Sequence, residues 1–213
     1  MKTLGVGIVL MVALFFCLPY HLYMKQLWKK NPERSWEKAR KFVSGFFRLE
    51  LKLSGCKVNV IGKENIPQDG PVLFVGNHRS YFDILIYHEA IGKPLGYLAK
   101  KEMEKIPLLP LYMRDIGCLF LDRDDIKQGL SVIKQGTEYM KQGHSMVVFP
   151  EGTRNQTDTL LPFREGGYKM AEKSKSPIVP VSICRSDRML ESAPKRRIRS
   201  HNVTIEFGKP IYP

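Results

Sequence analysis

The sequence predicts an α/β domain, with a mixed, largely parallel sheet flanked by helices, preceded by an N-terminal membrane-binding helical segment. Three observations predict it. From residue 55 onward, short apolar runs of strand length alternate with stretches of helical period. Residues 3–24 hold no charged side chain apart from His21 when it is protonated. Residues 32–53 repeat apolar and aromatic side chains at three- and four-residue spacing between basic ones.

At the N-terminus, residues 4–18 are nearly all Leu, Val, Ile, Phe, Met and Gly. Crossing a bilayer takes about 20 apolar residues, so the run is just long enough. No Ala-x-Ala-like cleavage site follows it, and Phe15-Phe16 before Cys17 fits a lipoprotein site badly. It is read as an uncleaved anchor, with a cleaved signal peptide or entry into one leaflet as the alternatives. Only Lys2 precedes the run, while Lys25, Lys29, Lys30, Arg34, Lys38, Arg40 and Lys41 follow it. That asymmetry puts the rest of the chain on the cytoplasmic side of the cell membrane.

In residues 32–53, Trp36, Ala39, Phe42, Val43, Phe46 and Phe47 share a face, with Lys38, Arg40, Lys41, Ser44 and Arg48 between them. Such a helix suits an anionic lipid surface. Packing of the same face on the protein's own core is the competing expectation. Strands are expected at 57–61, 72–76, 96–99, 118–121, 146–149, 178–183 and 203–207, and helices at 83–91, 126–142 and 166–174. In the second helix Ile126, Leu130, Ile133, Thr137 and Met140 mark one face, and Asp124-Asp125 precede it as cap and dipole partner. Strands with intervening helices pack as a sheet covered by helices. No repeat or low-complexity linker interrupts the chain, which divides into an anchor with an interfacial helix (1–54) and one domain (55–213).

The formal net charge is +13, from 34 basic and 21 acidic residues among 213. The excess favours an acidic partner: nucleic acid, anionic lipid or a phosphorylated substrate. No nucleic-acid-binding module is recognisable, and the basic residues are interleaved through a membrane-anchored pattern, which argues against nucleic acid. Cys17, Cys56, Cys118 and Cys184 form no Cys-x-x-Cys pair, so neither a zinc site nor a disulfide framework is expected.

Three runs stand out; one of them, residues 100–123, puts Lys100-Lys101 and Arg123 at the two ends of a Pro- and Leu-rich stretch, with a solvated basic loop as the alternative. In residues 72–83 an apolar strand leads directly into Asn77-His78, and a helix is expected to begin near Ser80 or Asp83. His78 then stands at a strand's C-terminal edge, where α/β proteins build ligand sites. With His78 in the loop, Asp83 in the helix's first turn can reach back to the imidazole. A carboxylate on one ring nitrogen leaves the other as a base. A structural His–Asp contact is the plainer alternative. In residues 146–155 a second strand ends in Glu151, Gly152, Thr153 and Arg154. Backbone N–H groups, a hydroxyl and a guanidinium together can cradle a phosphate. An ordinary turn with a surface ion pair is the alternative.

Taken together, the runs resemble the lysophosphatidic acid acyltransferase family (1-acylglycerol-3-phosphate acyltransferases) and its glycerolipid acyltransferase relatives, over roughly residues 58–183. Residues 77–83 resemble the family's His-x4-Asp block. Residues 101–123, with Gly117 inside, resemble the second block, 149–154 the third and 178–183 the fourth. Arg79 stands where Gln is common and Glu165 where a basic residue is common.

The resemblance implies the glycerolipid acyltransferase fold. It implies His78 as general base oriented by Asp83, and a substrate-phosphate site lined by Lys101, Arg123, Glu151, Gly152, Thr153 and Arg154. Pro180 would belong to the acyl-donor side. The implied reaction moves a fatty acyl group from acyl-CoA or acyl carrier protein to the free hydroxyl of 1-acylglycerol 3-phosphate in the membrane, making phosphatidic acid in phospholipid biosynthesis. It calls for no cofactor and no metal, and Ser80 reads as a helix cap rather than a nucleophile. Another acceptor, such as glycerol 3-phosphate, and a non-catalytic adaptor for anionic lipid are the competing functions.

Overall fold

The computed structural model describes residues 2–157 and 159–213. Met1, the first residue of the expected N-terminal segment, lies outside them. One seven-stranded sheet runs in the order β1-β7-β6-β2-β5-β3-β4. Its strands are β1 (Lys57–Ile61), β2 (Leu73–Gly76), β3 (Leu95–Lys100), β4 (Leu119–Leu121), β5 (Ser145–Val148), β6 (Ile178–Cys184) and β7 (Asn202–Phe207). The α-helices among the described residues are α1 (Lys2–Phe16), α2 (Leu18–Lys30), α3 (Pro32–Ser54), α4 (Phe82–Ile91), α5 (Leu109–Asp115), α6 (Ile126–Lys141) and α7 (Tyr168–Ser174). Every neighbouring strand pair is parallel except β6 with β7. The mixed, largely parallel sheet flanked by helices is as the sequence predicted.

Successive residues of a strand point to opposite faces, and the two cores follow that alternation. Phe74 and Val147 join one core with α3 and α4 residues such as Ala39, Ile86 and Tyr87. Leu73 and Met146 join the other with Val132, Ile133 and Met140 of α6 and Met170 and Ala171 of α7. With both faces covered, the central strands can be apolar throughout, which is why they read as unbroken runs.

The parallel strands β6, β2, β5, β3 and β4 all end on the same sheet edge. Asn77-His78 follows β2, Lys101 follows β3, Asp122-Arg123 follows β4 and Phe149–Arg154 follows β5. Topology therefore brings the predicted runs to one edge before any side chain is considered.

Several expectations change. The uncharged run 3–24 is not one helix: α1 stops at Phe16, α2 starts at Leu18, and the two bend by 54°. No single described helix is long and apolar enough to cross a membrane. Pro19, in the first turn of α2, is the cause: it lacks an N–H, and its ring collides with the carbonyl four residues back in a continuing helix. In α6, Ile126 and Leu130 are exposed, whereas Val132, Ile133, Gly136, Thr137 and Met140 are buried. The stripe turns with 3.6-residue periodicity, so the first turn passes beyond the sheet. Asp125 does cap α6, accepting from the Gln128 amide at 3.0 Å. The expected helix over 166–174 begins as a 3-10 turn, and α5 lies in a Pro- and Leu-rich stretch where no helix was expected.

Part of α3 packs on the protein itself. Trp36 is buried, stacked on His144 at 4.1 Å and edge-on to Tyr139. Burial pushes His144 down to about 3, so the ring is neutral, and Nε2–H donates to the Ile116 carbonyl at 3.1 Å. Gly117 follows with φ +78, and a Cβ there would overlap that imidazole. Within the second motif block, Gly117 is thus required by packing.

Glu50 of α3 is buried with neither carboxylate oxygen hydrogen-bonded, and burial pushes it up to about 7. A carboxyl whose folded value is raised keeps its proton in the folded state while the unfolded chain has lost it. Stability therefore falls as pH rises from the usual carboxylate range through about 7. Glu50→Gln should stabilise the protein at pH 8 by about 1–3 kcal/mol and have little effect at pH 4. Thermal melts of both proteins across that range would check this, and an equal effect at both ends would show that the charge is not responsible.

Candidate active site

The site is built on the turn between β2 and α4. Asn77 continues β2 with its side chain: Nδ2 donates to the Ile183 carbonyl at 2.9 Å, and the Ile183 amide donates to Oδ1 at 2.8 Å. The amide group imitates one more rung of the β2–β6 ladder, so the chain can turn away without stranding polar groups of β6. Gly76 lies immediately before it, where a Cβ would overlap the Tyr87 hydroxyl and the Val181 carbonyl. Tyr87 in turn donates to the Asn77 carbonyl at 3.3 Å.

His78 and Asp83 meet as the sequence predicted. His78 Nδ1 lies 2.8 Å from Asp83 Oδ2. A carboxylate oxygen can only accept here, so Nδ1 carries the proton and the Nε2 lone pair is left outward. The same Oδ2 accepts the backbone amides of Arg79 at 2.6 Å and Ser80 at 2.8 Å. Asp83 is fully buried, whereas the His78 side chain keeps 16% of its surface exposed, so the pair opens to solvent only through the imidazole. Ser80 acts as a local cap, its hydroxyl accepting from the Phe82 amide at 3.1 Å.

The β5 loop closes on this turn. Phe149 stacks on the His78 ring at 4.2 Å with a 13° interplanar angle. The Asn155 amide donates to the His78 carbonyl at 2.7 Å, and Gln156 Nε2 donates to the Arg79 carbonyl at 2.6 Å. The imidazole is thereby held on one face and through its backbone by the residues after β5.

The predicted phosphate residues divide. Gly152 adopts φ +71, a left-handed conformation natural to glycine, and the Arg123 guanidinium occupies the space beside its Cα. Arg123 is half-buried, and burial and then the neighbouring Arg164 lower its pKa. Two guanidinium groups near one another beside a positive-φ glycine favour an anion. Arg154 lies over the Tyr81 ring at 3.6 Å and donates from NH2 to the Tyr81 hydroxyl and from NH1 to Glu191. Thr153 is exposed beside it. Glu151 faces inward instead: its carboxylate accepts from Asn155 Nδ2 and from the Leu161 amide, which closes the 151–161 loop. Lys101 is engaged by Asp122 at 2.9 Å in an exposed pair.

Sequence reasoning missed Asn77, Phe149, Asn155, Asp187, Glu191 and Arg164. Asn77 and Phe149 lie within the runs 77–83 and 149–154 without having been given a role, and were open to being found as strand-end groups. Asp187 and Glu191 follow β6 by a few residues, over a hundred positions from His78, with no pattern to mark them.

Similarity to known proteins follows the same residues. The family model described as Acyltransferase matches residues 57–184, from β1 to the end of β6. A probable 1-acyl-sn-glycerol-3-phosphate acyltransferase of Mycoplasma pneumoniae is 34% identical over 193 residues, covering 85% of this chain and 70% of that protein. A 1-acyl-sn-glycerol-3-phosphate acyltransferase of Borreliella burgdorferi is 34% identical over 136 residues, covering 64% of this chain and 54% of the relative. In fold, the chain superposes on the crystal structure of a 1-acyl-sn-glycerophosphate acyltransferase from Thermotoga maritima with a TM-score of 0.79, at 24% identity, covering 100% of this chain and 85% of that one. With the matched segment spanning the strands that carry both motif runs, this chain belongs to the acyltransferase family.

Proposed function

We propose that this enzyme esterifies the free hydroxyl of 1-acylglycerol 3-phosphate with a fatty acyl group from a thioester, on coenzyme A or acyl carrier protein, and so makes phosphatidic acid. The observation that carries the reading is the buried Asp83 holding His78 with Nε2 outward, at the sheet edge where Arg123 and Gly152 also meet. The names of the relatives support the acceptor.

In this proposal the acceptor hydroxyl gives its proton to His78 Nε2 as its oxygen attacks the thioester carbonyl. A tetrahedral intermediate forms; its C–S bond breaks, and the proton passes from the imidazolium to the departing thiolate. Asp83 keeps the tautomer and stabilises the imidazolium. Arg123, the Gly152 loop, Thr153 and Arg154 receive the phosphate, and Lys101 adds positive potential from the neighbouring strand end. The inward carboxylate of Glu151 keeps the loop's shape. The reaction as written passes through no metal and no organic cofactor.

The acceptor's tail stays in the bilayer, so the N-terminal helices are taken to hold the enzyme on lipid, with the catalytic domain on the cytoplasmic side. Leu4, Ile8, Met11, Phe15 and Phe16 of α1 are exposed, and the basic side chains of α2 and α3 follow. An apolar groove along α1 counts Arg197 among its lining residues. Apolar insertion backed by surface charge fits these features.

His78→Ala should leave a folded protein whose acyl transfer to 1-acylglycerol 3-phosphate is about 10²–10⁴-fold slower. Asp83→Asn should also be severe, and the double variant should be about as slow as His78→Ala alone, because the two act as one unit. Rates of all three, with circular dichroism as the folding control, decide it; substantial activity in folded His78→Ala would sink the mechanism.

Arg123→Ala should raise the apparent KM for the phosphorylated acceptor by roughly tenfold or more, the loss of a charge-assisted contact. An acceptor without the phosphate should show little further penalty. Equal penalties on both acceptors would remove the phosphate assignment.

Phe15→Ser with Phe16→Ser should weaken binding to vesicles containing anionic lipid and make the remaining binding salt-sensitive, because charge attraction is screened where insertion is not. Sedimentation with vesicles at low and high salt measures this; unchanged binding would contradict a role for α1 in the contact.

A further inference from the structure

The segment between β6 and β7 carries an acidic pair that the reaction does not use directly. Asp187 Oδ1 accepts from Arg79 Nε at 3.2 Å, and its Oδ2 accepts from the Ser192 hydroxyl at 2.7 Å. Glu191 reaches further into the site. Its Oε1 accepts from the Tyr81 amide at 2.9 Å and from Arg154 NH1 at 3.1 Å, and its side chain is only 13% exposed. Tyr81 is the residue at which α4 begins, and its own side chain makes no capping bond. One nearly buried carboxylate thus joins the start of the helix that carries Asp83 to the arginine of the loop after β5.

We propose that Glu191 is a positioning residue that fixes the Arg154 guanidinium for the acceptor's phosphate. The proposal rests on the phosphate reading of Arg154 given above. A guanidinium has five N–H donors in one plane. Arg154 spends one on Glu191 and one on the Tyr81 hydroxyl, and lies with one flat face over the Tyr81 ring. Its plane is then defined by three contacts, and three of its five N–H groups remain for an anion such as the phosphate. An arginine already ordered loses less freedom when the anion arrives, so the benefit falls on acceptor binding. Glu191 approaches the guanidinium from the β6–β7 segment, and its second oxygen, Oε2, is buried without a partner. The carboxylate is therefore seated by the fold and does not swing with solvent.

The test is steady-state kinetics with 1-acylglycerol 3-phosphate varied at saturating acyl-CoA, for the full chain and for E191A, E191Q, R154A and the E191A/R154A double variant. E191A should raise the acceptor KM about tenfold and change kcat much less. Gln keeps an oxygen that can accept from both donors, so E191Q should recover most of the loss. In the R154A background, E191A should add little, because its effect travels through Arg154. An acceptor KM unchanged or lowered in E191A would overturn the proposal, as would a full E191A penalty persisting in R154A. A fall in kcat alone would assign Glu191 to capping α4 and overturn it too. If E191A does not fold, E191D keeps the charge but is one methylene too short for both donors; an unaltered acceptor KM there would also overturn it. Absence of transfer to 1-acylglycerol 3-phosphate by the unmodified chain would remove the underlying reading, whereas an active chain insensitive at Glu191 would remove only this one.

Discussion

The site depends on one oxygen atom. Asp83 Oδ2 accepts from the His78 imidazole and from the amides of Arg79 and Ser80. Those amides belong to the turn between β2 and α4, ahead of the first helical residue Phe82. The side chain that orients the imidazole therefore also ties down the turn that leads into its own helix. With Ser80 serving the Phe82 amide and Glu191 the Tyr81 amide, the amides of residues 79–82 each have an acceptor. The His-x4-Asp spacing is a consequence: fewer residues would not complete the turn, and a continuous helix would carry Asp83 away from His78.

Around this turn the sheet supplies a fixed edge. Five mutually parallel strands end there, and the two central ones, β2 and β5, are each hydrogen-bonded on both sides. Asn77 and Gly76 let β2 stop and turn against β6 and Tyr87 with the Ile183 amide and carbonyl both hydrogen-bonded. Phe149, directly after β5, seats a ring on the imidazole, and Asn155 holds its backbone. Positions on a close-packed sheet vary little, so residues from three strand ends can share one small volume without a long loop.

The N-terminal helices are joined to this domain as well as offered to solvent. Tyr112 of α5 donates to the Leu14 carbonyl at 2.8 Å, His21 pairs with Asp115 at 2.8 Å, and Met24 is fully buried. Trp36 of α3 lies between Tyr139 and His144. The outer side of α1 remains apolar and exposed. Pro19 separates the two requirements, because the bend it causes lets α2 lie on the domain while α1 departs from α2's direction.

By itself, the sequence determined the alternation of strands and helices, the strand positions to within a residue or two, and the pairing of His78 with Asp83. These rest on local periodicity and on a turn only a few residues long, which neighbouring residues specify. Tertiary structure alone decided the remainder. Whether Trp36 faces lipid or protein depends on His144, which is brought beside it from the far end of α6. Lys101, Glu151 and Arg154 share a motif character, yet Asp122, Asn155 and Glu191 assign them different tasks. The break at Cys17 depended on one proline that the uncharged composition of residues 3–24 concealed. Glu191 reaches Tyr81 and Arg154 because β6 runs parallel to β2 and its following segment turns back over the same edge. Contacts across that many residues are set by strand order, and strand order is fixed only when the two cores close on the sheet.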